Sequence, residues 1–488
     1  MAQGGDQRAR VAQRMKERAL LLSTSTLLSW DEATGMPRAG ARHRAEQQAQ
    51  LLGLARDLAA DPQLGEWLAA CSEDFDVRRW KRLHQRASRV PRRLVESLAK
   101  TCTLAREAWA SARDANDGRV FKSQLARVVA LKREESDALA NGGDRYEALL
   151  DEYEPFVSAA TTEGLVEAVA HELLRRATAW ECGAPEKLPG PVAEAAQLSL
   201  CTMVARAVGF SERRGRIDTG SYGSSVAVGP GDVRVTVRLS KLDATGPVLR
   251  LLHELGHWFT DDGAPENSWG TPRGEVASHS LHESQARFFE NHLGRSDAFW
   301  DWLWPKAKAA WAPHFDASSA LALRKHVKWV HRGLMRGWAD EVTSDLHVVL
   351  RMRLERALIS GKLEVDDLPG AWSDASAYWF GTRPKNDLEG WLQDGHWSAG
   401  RFGYFPTYTL GNLAAAQFAE TLKRERPDCE HEVARGDFSH VVSWLKGRIH
   451  THGGEGNVFE RVQAVTGRAL TAEAFLRHLD ARYGSLRR

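Results

Sequence analysis

The stretch HELGHWFTDDGAPENSWGTPRGEVASHSLHESQ, residues 253–285, holds two histidines four residues apart and a second His-Glu pair further on. Apolar residues around the first histidine have helical spacing, and Pro247 suits the first turn of a helix. Four residues turn a helix by about 400°, so His253 and His257 share one face. Glu254, about 100° round the helix from His253, can reach a water held between the imidazoles. The stretch therefore predicts a metal-binding helix.

A third ligand is sought in the second half of the same stretch. Thr271 and Pro272 suit the N-cap and first position of a second helix, which would carry Glu283. One alternative is that Glu283 lies on the helix surface and merely forms an ion pair with Arg287, four residues later. Beside two histidines, however, it completes a set of three ligands that leaves a fourth position for water. We expect one divalent ion per chain, with Zn²⁺ favoured because the donors are nitrogen and oxygen without thiolate.

Apolar periodicity sets the fold class. Most of the chain repeats apolar residues at intervals of three and four, for example after Gly164 and after Asp340, as long amphipathic helices do. The segment GDVRVTVRLS, residues 231–240, instead alternates with the period of a half-buried strand. No linker long enough to separate domains interrupts the chain. We predict a mainly α fold with a small sheet, one domain over residues 1–488, and a loose N-terminal helix at about residues 1–20.

Composition narrows the class of partners. The chain has 488 residues, is 43% hydrophobic, and carries a net charge of +2 from acidic and basic side chains that are interspersed. This charge pattern favours neither nucleic-acid binding nor a membrane surface. Five scattered cysteines without a CxxC pair argue against a disulfide framework and a thiolate zinc site. With no signal-like or membrane-spanning segment, we expect a cytoplasmic protein without nucleic-acid or membrane partners.

Several separated motifs resemble the M32 (Taq-type) metallocarboxypeptidase family. HELGH, GTPRGEVASHSLHESQ and FFENHLGRSDAFW resemble its metal segment, GDVRVTVR its DxRxT strand, MRGWADEVTSDLH its IRxxAD segment, and GWLQDGHWSAGRFGYFPTYTLG its GxxQDxHW segment. The resemblance implies a mostly helical fold with a deep groove and a small antiparallel sheet at the active-site edge. It also implies a homodimer that removes single residues from peptides with a free C-terminus, and Co²⁺ as a working substitute for Zn²⁺.

The resemblance assigns the same four residues that the spacing indicates. It makes His253, His257 and Glu283 the metal ligands and Glu254 the general base. For the donor to the tetrahedral oxyanion we favour Tyr408, with Tyr404 and His396 as alternatives. His396 could instead contact the substrate or support another side chain.

Substrate contacts are expected from three other motifs. Arg336 of the IRxxAD-like segment suits a terminal carboxylate, because a guanidinium fork matches that group. Asp340 either holds Arg336 in place or pairs with it only as a helical neighbour. The presumed edge strand presents a polar face on which an extended peptide could pair through its main chain, formed by Asp232, Arg234 and Thr236. A solvated strand face is the alternative.

The GxxQDxHW-like segment adds Gln393 and Arg401, although the family has a small residue where Arg401 stands. The chain also lacks the HPF segment of the family, since no histidine occurs between Met203 and His253. Further departures are Trp338, Ser344 and Val237. The metal-binding residues match the family while these surrounding residues differ. We therefore expect that hydrolysis is retained and that the substrate is a specialised peptide or modified amide. The alternatives are an aminopeptidase or endopeptidase with the same metal motif, and a metal-binding scaffold without catalysis.

Overall fold

The computed structural model describes residues 2–184, 192–220, 223–240, 243–276, 278–311 and 319–484, and over these ranges the chain is mainly helical. The predicted fold class is confirmed. The α-helices of the described residues are α1 (Ala2–Thr34), α2 (Ala41–Ala60), α3 (Pro62–Ala70), α4 (Phe75–Arg89), α5 (Arg92–Ala115), α6 (Arg119–Ala140), α7 (Arg145–Tyr153), α8 (Ala159–Trp180), α9 (Glu194–Ala207), α10 (Gly246–Gly263), α11 (His279–Arg287), α12 (Asp297–Trp311), α13 (Ser319–Val327), α14 (Ser344–Ser360), α15 (Leu368–Phe380), α16 (Pro406–Glu425), α17 (Cys429–Ala434), α18 (Ser439–Arg448), α19 (Val458–Thr466) and α20 (Glu473–Tyr483).

A small three-stranded sheet is inserted between α9 and α10. Its strands are β1 (Gly215–Thr219), β2 (Ser224–Gly229) and β3 (Asp232–Val237), in the order β1-β3-β2. β3 pairs antiparallel with β2 but parallel with β1, so the sheet is mixed rather than wholly antiparallel. β3 is therefore the central strand.

The expected peptide contacts on β3 need correction for this reason. Both edges of β3 are already paired, so a substrate cannot add to it. Asp232 and Arg234 bond to each other at 2.8 Å, and Arg234 also lies over the ring of Trp30, 4.4 Å from its centroid. Thr236 is only 2% exposed. The alternation of apolar and polar residues predicts that one face of a strand is buried. It does not indicate whether the strand has neighbouring strands on both edges.

Apolar packing holds the helices around the site. One contiguous cluster of buried side chains runs from α5 to α20, and the single domain over residues 1–488 stays a prediction. A smaller cluster anchors α1, whose Val11 and Met15 pack with Leu64 and Trp80. Val11 and Met15 are therefore buried against α3 and α4, and a loose N-terminal helix at about residues 1–20 stays a prediction. No helix among the described ranges is long and apolar enough to cross a membrane.

The two helices of the 253–285 stretch approach closely because a glycine lies at their contact. A Cβ at Gly256 would lie 2.4 Å from the carbonyl oxygen of Gln285, which is far inside van der Waals contact. On the other side of α11, a Cβ at Gly411 of α16 would lie 3.0 Å from Cβ of Glu283. These contacts stack α10, α11 and α16 and set the distance between the predicted ligands.

The start of α11 differs from the prediction. α10 carries Pro247 in its first turn as expected, but Thr271 and Pro272 begin only a short 3-10 turn. α11 begins at His279, where the Ser278 side chain accepts a hydrogen bond from the backbone N–H of Leu281. The Thr-Pro pair suits the start of either kind of helix, so the sequence alone placed the boundary too early.

Candidate metal centre

The three predicted ligands converge in the structure. Nε2 of His253 lies 3.5 Å from Oε1 of Glu283, and Nε2 of His257 lies 3.6 Å from its Oε2. The two imidazole planes are nearly perpendicular at 86°. One ligand atom from each side chain falls within 4.8 Å of the other two. The two imidazole nitrogens and the carboxylate are therefore close enough together to hold one metal ion.

The chemistry of the donors fits a divalent ion. Glu283 is 1% exposed, and within the described residues its Oε1 is buried without a hydrogen-bond partner. A buried carboxylate oxygen without a partner is costly unless a cation satisfies it. Nδ1 of His257 is likewise buried without a hydrogen-bond partner in the described part of the chain, and its ring stacks on His282 at 4.2 Å. Two imidazoles and one carboxylate without a thiolate suit Zn²⁺.

Glu290 contacts one of the predicted ligands, and the sequence did not predict this contact. Its Oε2 lies 2.9 Å from Nδ1 of His253, which leaves Nε2 of that ring facing Glu283. Arg287 and Arg295 bind the Glu290 carboxylate at 3.1 and 3.4 Å. Burial alone would raise the pKa of Glu290, but these arginines and His253 hold it well below its usual range. Such a carboxylate behind a histidine fixes the tautomer and orientation of the ring.

Glu290, which contacts His253, lies in a segment where the α-helix changes to a π-helix. Residues Phe288–Leu293 form a π-helical turn that continues α11. π-helical turns occur often at functional sites, and they change the direction of the side chains that follow. In the sequence, only the spacing of seven residues from Glu283 to Glu290 suggested that both lie on one helical face. Two glutamates on an exposed helical face would have the same spacing.

Glu254 lies beside the ligands in a closed environment. It is 8% exposed, and burial raises the pKa of its carboxyl to about 7 although the charge of His253 opposes this. Gly223, just before β2, packs against it, because a Cβ at this glycine would lie 2.7 Å from Oε1 of Glu254. A carboxyl with a pKa near neutrality can both accept a proton and release it.

The three candidates for the oxyanion donor form one aromatic cluster. Nε2 of His396 lies 3.2 Å from the hydroxyl of Tyr408, and the Tyr404 ring lies 5.4 Å from that of Tyr408. Burial raises the pKa of Tyr408 to about 12, so its hydroxyl keeps its proton. Burial, followed by the charge of Arg336, lowers the pKa of His396 to about 3, so the imidazole is neutral.

Two arginines lie against the Tyr408 ring of this cluster, and one of them also contacts a predicted metal ligand. Cζ of Arg287 lies 5.5 Å from the ring centroid of Tyr408, and its Nε lies 3.4 Å from Oε1 of Glu283. Cζ of Arg336 lies 5.4 Å from the same Tyr408 ring. Tyr408 is therefore placed between the ligand side of the site and Arg336.

Arg336 is held by Asp394 rather than by Asp340. Nε of Arg336 donates to Oδ1 of Asp394 at 2.6 Å, and Arg351 binds the other oxygen at 2.5 Å. Burial would raise the pKa of Asp394, but these two arginines hold it far below its usual range. Asp340 instead accepts hydrogen bonds from the backbone and hydroxyl of Thr343. The spacing of four residues was misleading because Arg336 lies in a short 3-10 turn outside α14.

Gln393 supports Arg336 through its side-chain amide. Its Oε1 accepts from the backbone N–H of Arg336 and from Arg351, and its Nε2 donates to the carbonyl oxygens of Leu334 and Glu389. The amide is therefore fully used within the protein. The expected contact of Gln393 with a substrate stays a prediction, and these four hydrogen bonds leave its amide no further group for one.

Arg401 lies at the exposed rim of the aromatic cluster. Its Cζ is 5.8 Å from the ring centroid of Tyr404. No ion pair of Arg401 occurs within the described ranges, and its charge contributes to lowering the pKa of His279 and His396, after burial. A cation placed in this way is available to a ligand.

Comparisons with known proteins agree with this arrangement. A family model described as carboxypeptidase Taq (M32) metallopeptidase matches residues 10–483. Thermostable carboxypeptidase 1 of Thermus thermophilus is 37% identical over 496 residues, covering 96% of this chain and 97% of the relative. Carboxypeptidase 1 of Bacillus subtilis is 28% identical and covers 94% of each chain.

Solved structures share the whole fold. The crystal structure of an M32 carboxypeptidase from Deinococcus radiodurans R1 has a TM-score of 0.90 and 32% identity, with 99% of both chains covered. A Pyrococcus furiosus carboxypeptidase structure has a TM-score of 0.89 and 27% identity, covering 98% of this chain and 99% of the other. The likeness therefore extends over the complete described architecture.

Proposed function

Because the chain belongs to the carboxypeptidase Taq (M32) metallopeptidase family and is a metallocarboxypeptidase, we propose that it removes C-terminal residues from peptides at the centre formed by His253, His257 and Glu283. The observation that carries the proposal is the convergence of these side chains within 4.8 Å, beside the buried Glu254. Two histidines and one glutamate with an open fourth position, next to a carboxylate base, form a set that supports metal-dependent hydrolysis.

The bound ion, when present, supplies a Lewis acid that polarises the scissile carbonyl and lowers the pKa of water. Glu254 takes the proton from the attacking water and passes it to the leaving amine. Its buried position keeps bulk water away and brings its pKa close to neutrality, which suits both transfers. Glu290 keeps His253 in the orientation that points Nε2 at the centre.

Tyr408 is proposed to donate its hydroxyl proton in a hydrogen bond to the tetrahedral oxyanion. It remains protonated, and it lies between Arg287 and Arg336 where negative charge is favoured. His396 lies within hydrogen-bond distance of the Tyr408 hydroxyl and orients it. Tyr404 packs against both rings and limits their movement.

Arg336 is proposed to bind the terminal carboxylate of the substrate. Its Nε is occupied by Asp394, while its two terminal nitrogens make no hydrogen bond with the described residues. A guanidinium fixed through Nε presents its outer edge to a carboxylate. Binding of the terminal carboxylate would place the last peptide bond of the substrate at the metal centre.

The decisive experiment compares peptides that differ only at their termini. Matched peptides with a free acid, with a C-terminal amide, and with a blocked N-terminus are incubated with metal-loaded enzyme and followed by mass spectrometry. We expect single-residue loss from the C-terminus of the free-acid and N-blocked peptides. Equal cleavage of acid and amide peptides would contradict the carboxypeptidase mode, and dependence on a free N-terminus would indicate an aminopeptidase.

Replacing Arg336 by methionine should weaken recognition of the free acid. Loss of charge-assisted hydrogen bonds of about 1.5–3 kcal/mol corresponds to a fall in kcat/KM of about 10- to 100-fold. Asp394 keeps Arg351 as a partner, so the fold should survive. Steady-state kinetics on acid and amide peptides measure the effect. A variant that discriminates acid from amide as strongly as the wild type would remove Arg336 from this role.

Replacing Arg401 by serine should alter the side-chain preference without abolishing cleavage. We propose that Arg401 favours acidic residues near the cleaved bond, because its exposed charge lies at the rim of the Tyr404 cluster. An exposed ion pair is worth little, so the preference for glutamate over glutamine should fall by about two- to fivefold. Library profiling of wild type and variant measures it, and Arg435→Ser is a surface control. An unchanged profile would make Arg401 a surface charge only.

We also propose Zn²⁺ as the native ion at this centre, with Co²⁺ as an active substitute, and a homodimer as the assembly. The nitrogen and oxygen donor set supports the choice of metal. Activity of metal-free enzyme reconstituted separately with each ion tests the first proposal, and light scattering after size-exclusion chromatography tests the second.

A further inference from the structure

A second group of metal-ligand side chains lies apart from the proposed catalytic centre. It consists of His292 on the π-helical turn, Glu341 just before α14, and His478 on α20, with one ligand atom from each within 4.8 Å of the other two. Among the described residues, only this group and the catalytic ligands meet that criterion. None of the three takes part in the hydrolysis described above.

The two carboxylate oxygens of Glu341 have different hydrogen-bond partners. Oε2 accepts hydrogen bonds from Arg482 at 2.8 Å and from the hydroxyl of Tyr483 at 3.0 Å. Oε1 lies 2.8 Å from Nε2 of His478. Glu341 is 2% exposed. One oxygen is thus anchored by Arg482 and Tyr483, while the other contacts the imidazole of His478.

His292 has no hydrogen bond in the described part of the chain, although its ring lies 4.2 Å from that of His478. Burial and the neighbouring His478 lower the pKa of His292, and burial also lowers the pKa of His478 although Glu341 opposes this. Burial thus favours the neutral form of both imidazoles, and Nε2 of His478, which donates to Glu341 here, would give up its proton to bind an ion. Neutral imidazole is the form that binds metals.

From this geometry we propose that His292, Glu341 and His478 bind a second divalent transition-metal ion, of the Zn²⁺ class. The donor set is again two nitrogens and one oxygen. Arg482 beside the carboxylate does not oppose this, because the catalytic Glu283 has Arg287 at 3.4 Å in the same way. The ion would join the π-helical turn, the segment before α14 and the C-terminal helix, so its role is structural.

Metal counting on the full chain tests the proposal. The protein is stripped, loaded with Zn²⁺ alone, dialysed, and measured by plasma mass spectrometry. We expect two ions per chain in the wild type, one in His257→Ala, one in His292→Phe, and none in the double variant. His292→Phe replaces a ring that lacks a hydrogen bond within the described residues, so its peptidase activity should equal that of the wild type.

A second variant and a spectroscopic readout separate binding from misfolding. His478→Gln keeps a donor for Glu341 but removes the imidazole, and it should also lose one ion while its circular dichroism stays unchanged. In Co²⁺-loaded His257→Ala, the visible absorption then reports the second ion alone and should disappear on adding His292→Phe. A wild type with a single ion, or a second ion that persists in both histidine variants, overturns the assignment.

Discussion

Glu254→Gln should leave the metal content of the enzyme unchanged and reduce kcat by about 10²- to 10⁴-fold, the usual contribution of a general base. Glutamine keeps the shape and the hydrogen-bonding capacity of the side chain but cannot take a proton from water. Gly223 packs against this carboxylate, where the larger side chain of another residue would collide with it. Stopped assays on a free-acid peptide together with metal analysis measure both quantities.

A second glutamate provides the contrast. Glu283→Gln should lose metal affinity first, and activity should return when the ion is supplied in excess, whereas Glu254→Gln should not respond to added metal. Glu473→Gln, on the surface of α20 with a side chain 77% exposed, controls for the exchange of a charge. Turnover close to wild type in Glu254→Gln would show that another group is the base.

His257→Ala should remove the ion from the catalytic centre and with it all detectable peptidase activity. Only three protein ligands are available, and the loss of one leaves a buried carboxylate and a single imidazole, which bind weakly. The metal content should fall by one ion per chain. His171→Ala, which changes a half-exposed histidine of α8, is the matched control. Retention of full metal and full activity by His257→Ala would refute the ligand assignment.

The three metal ligands could be predicted because they lie close together in the sequence. Two histidines on one helical face and a carboxylate on the next helix need only the helix period to be recognised. The structure places all three within reach of each other. The general base is adjacent in sequence to His253, so its position follows from the same helix.

The contacts that were missed depend on residues distant in sequence or on altered helix geometry. Asp394 holds Arg336 across 58 positions, and no local pattern connects them. Glu290 reaches His253 through a π-helical turn that the sequence does not announce. β3 was taken as an edge strand because its pattern is the same whether one neighbour or two are present.

The glycine contacts at Gly256 and Gly411 have a practical consequence for handling the enzyme. They set the spacing of α10, α11 and α16 through backbone packing, so we expect the frame that carries the ligands to persist without the catalytic ion. Chelation should then switch the enzyme off while leaving it folded, and returning the ion should restore turnover on mixing, without a refolding step. The chain would behave as a reversible sensor whose peptidase rate reports the free metal concentration around it.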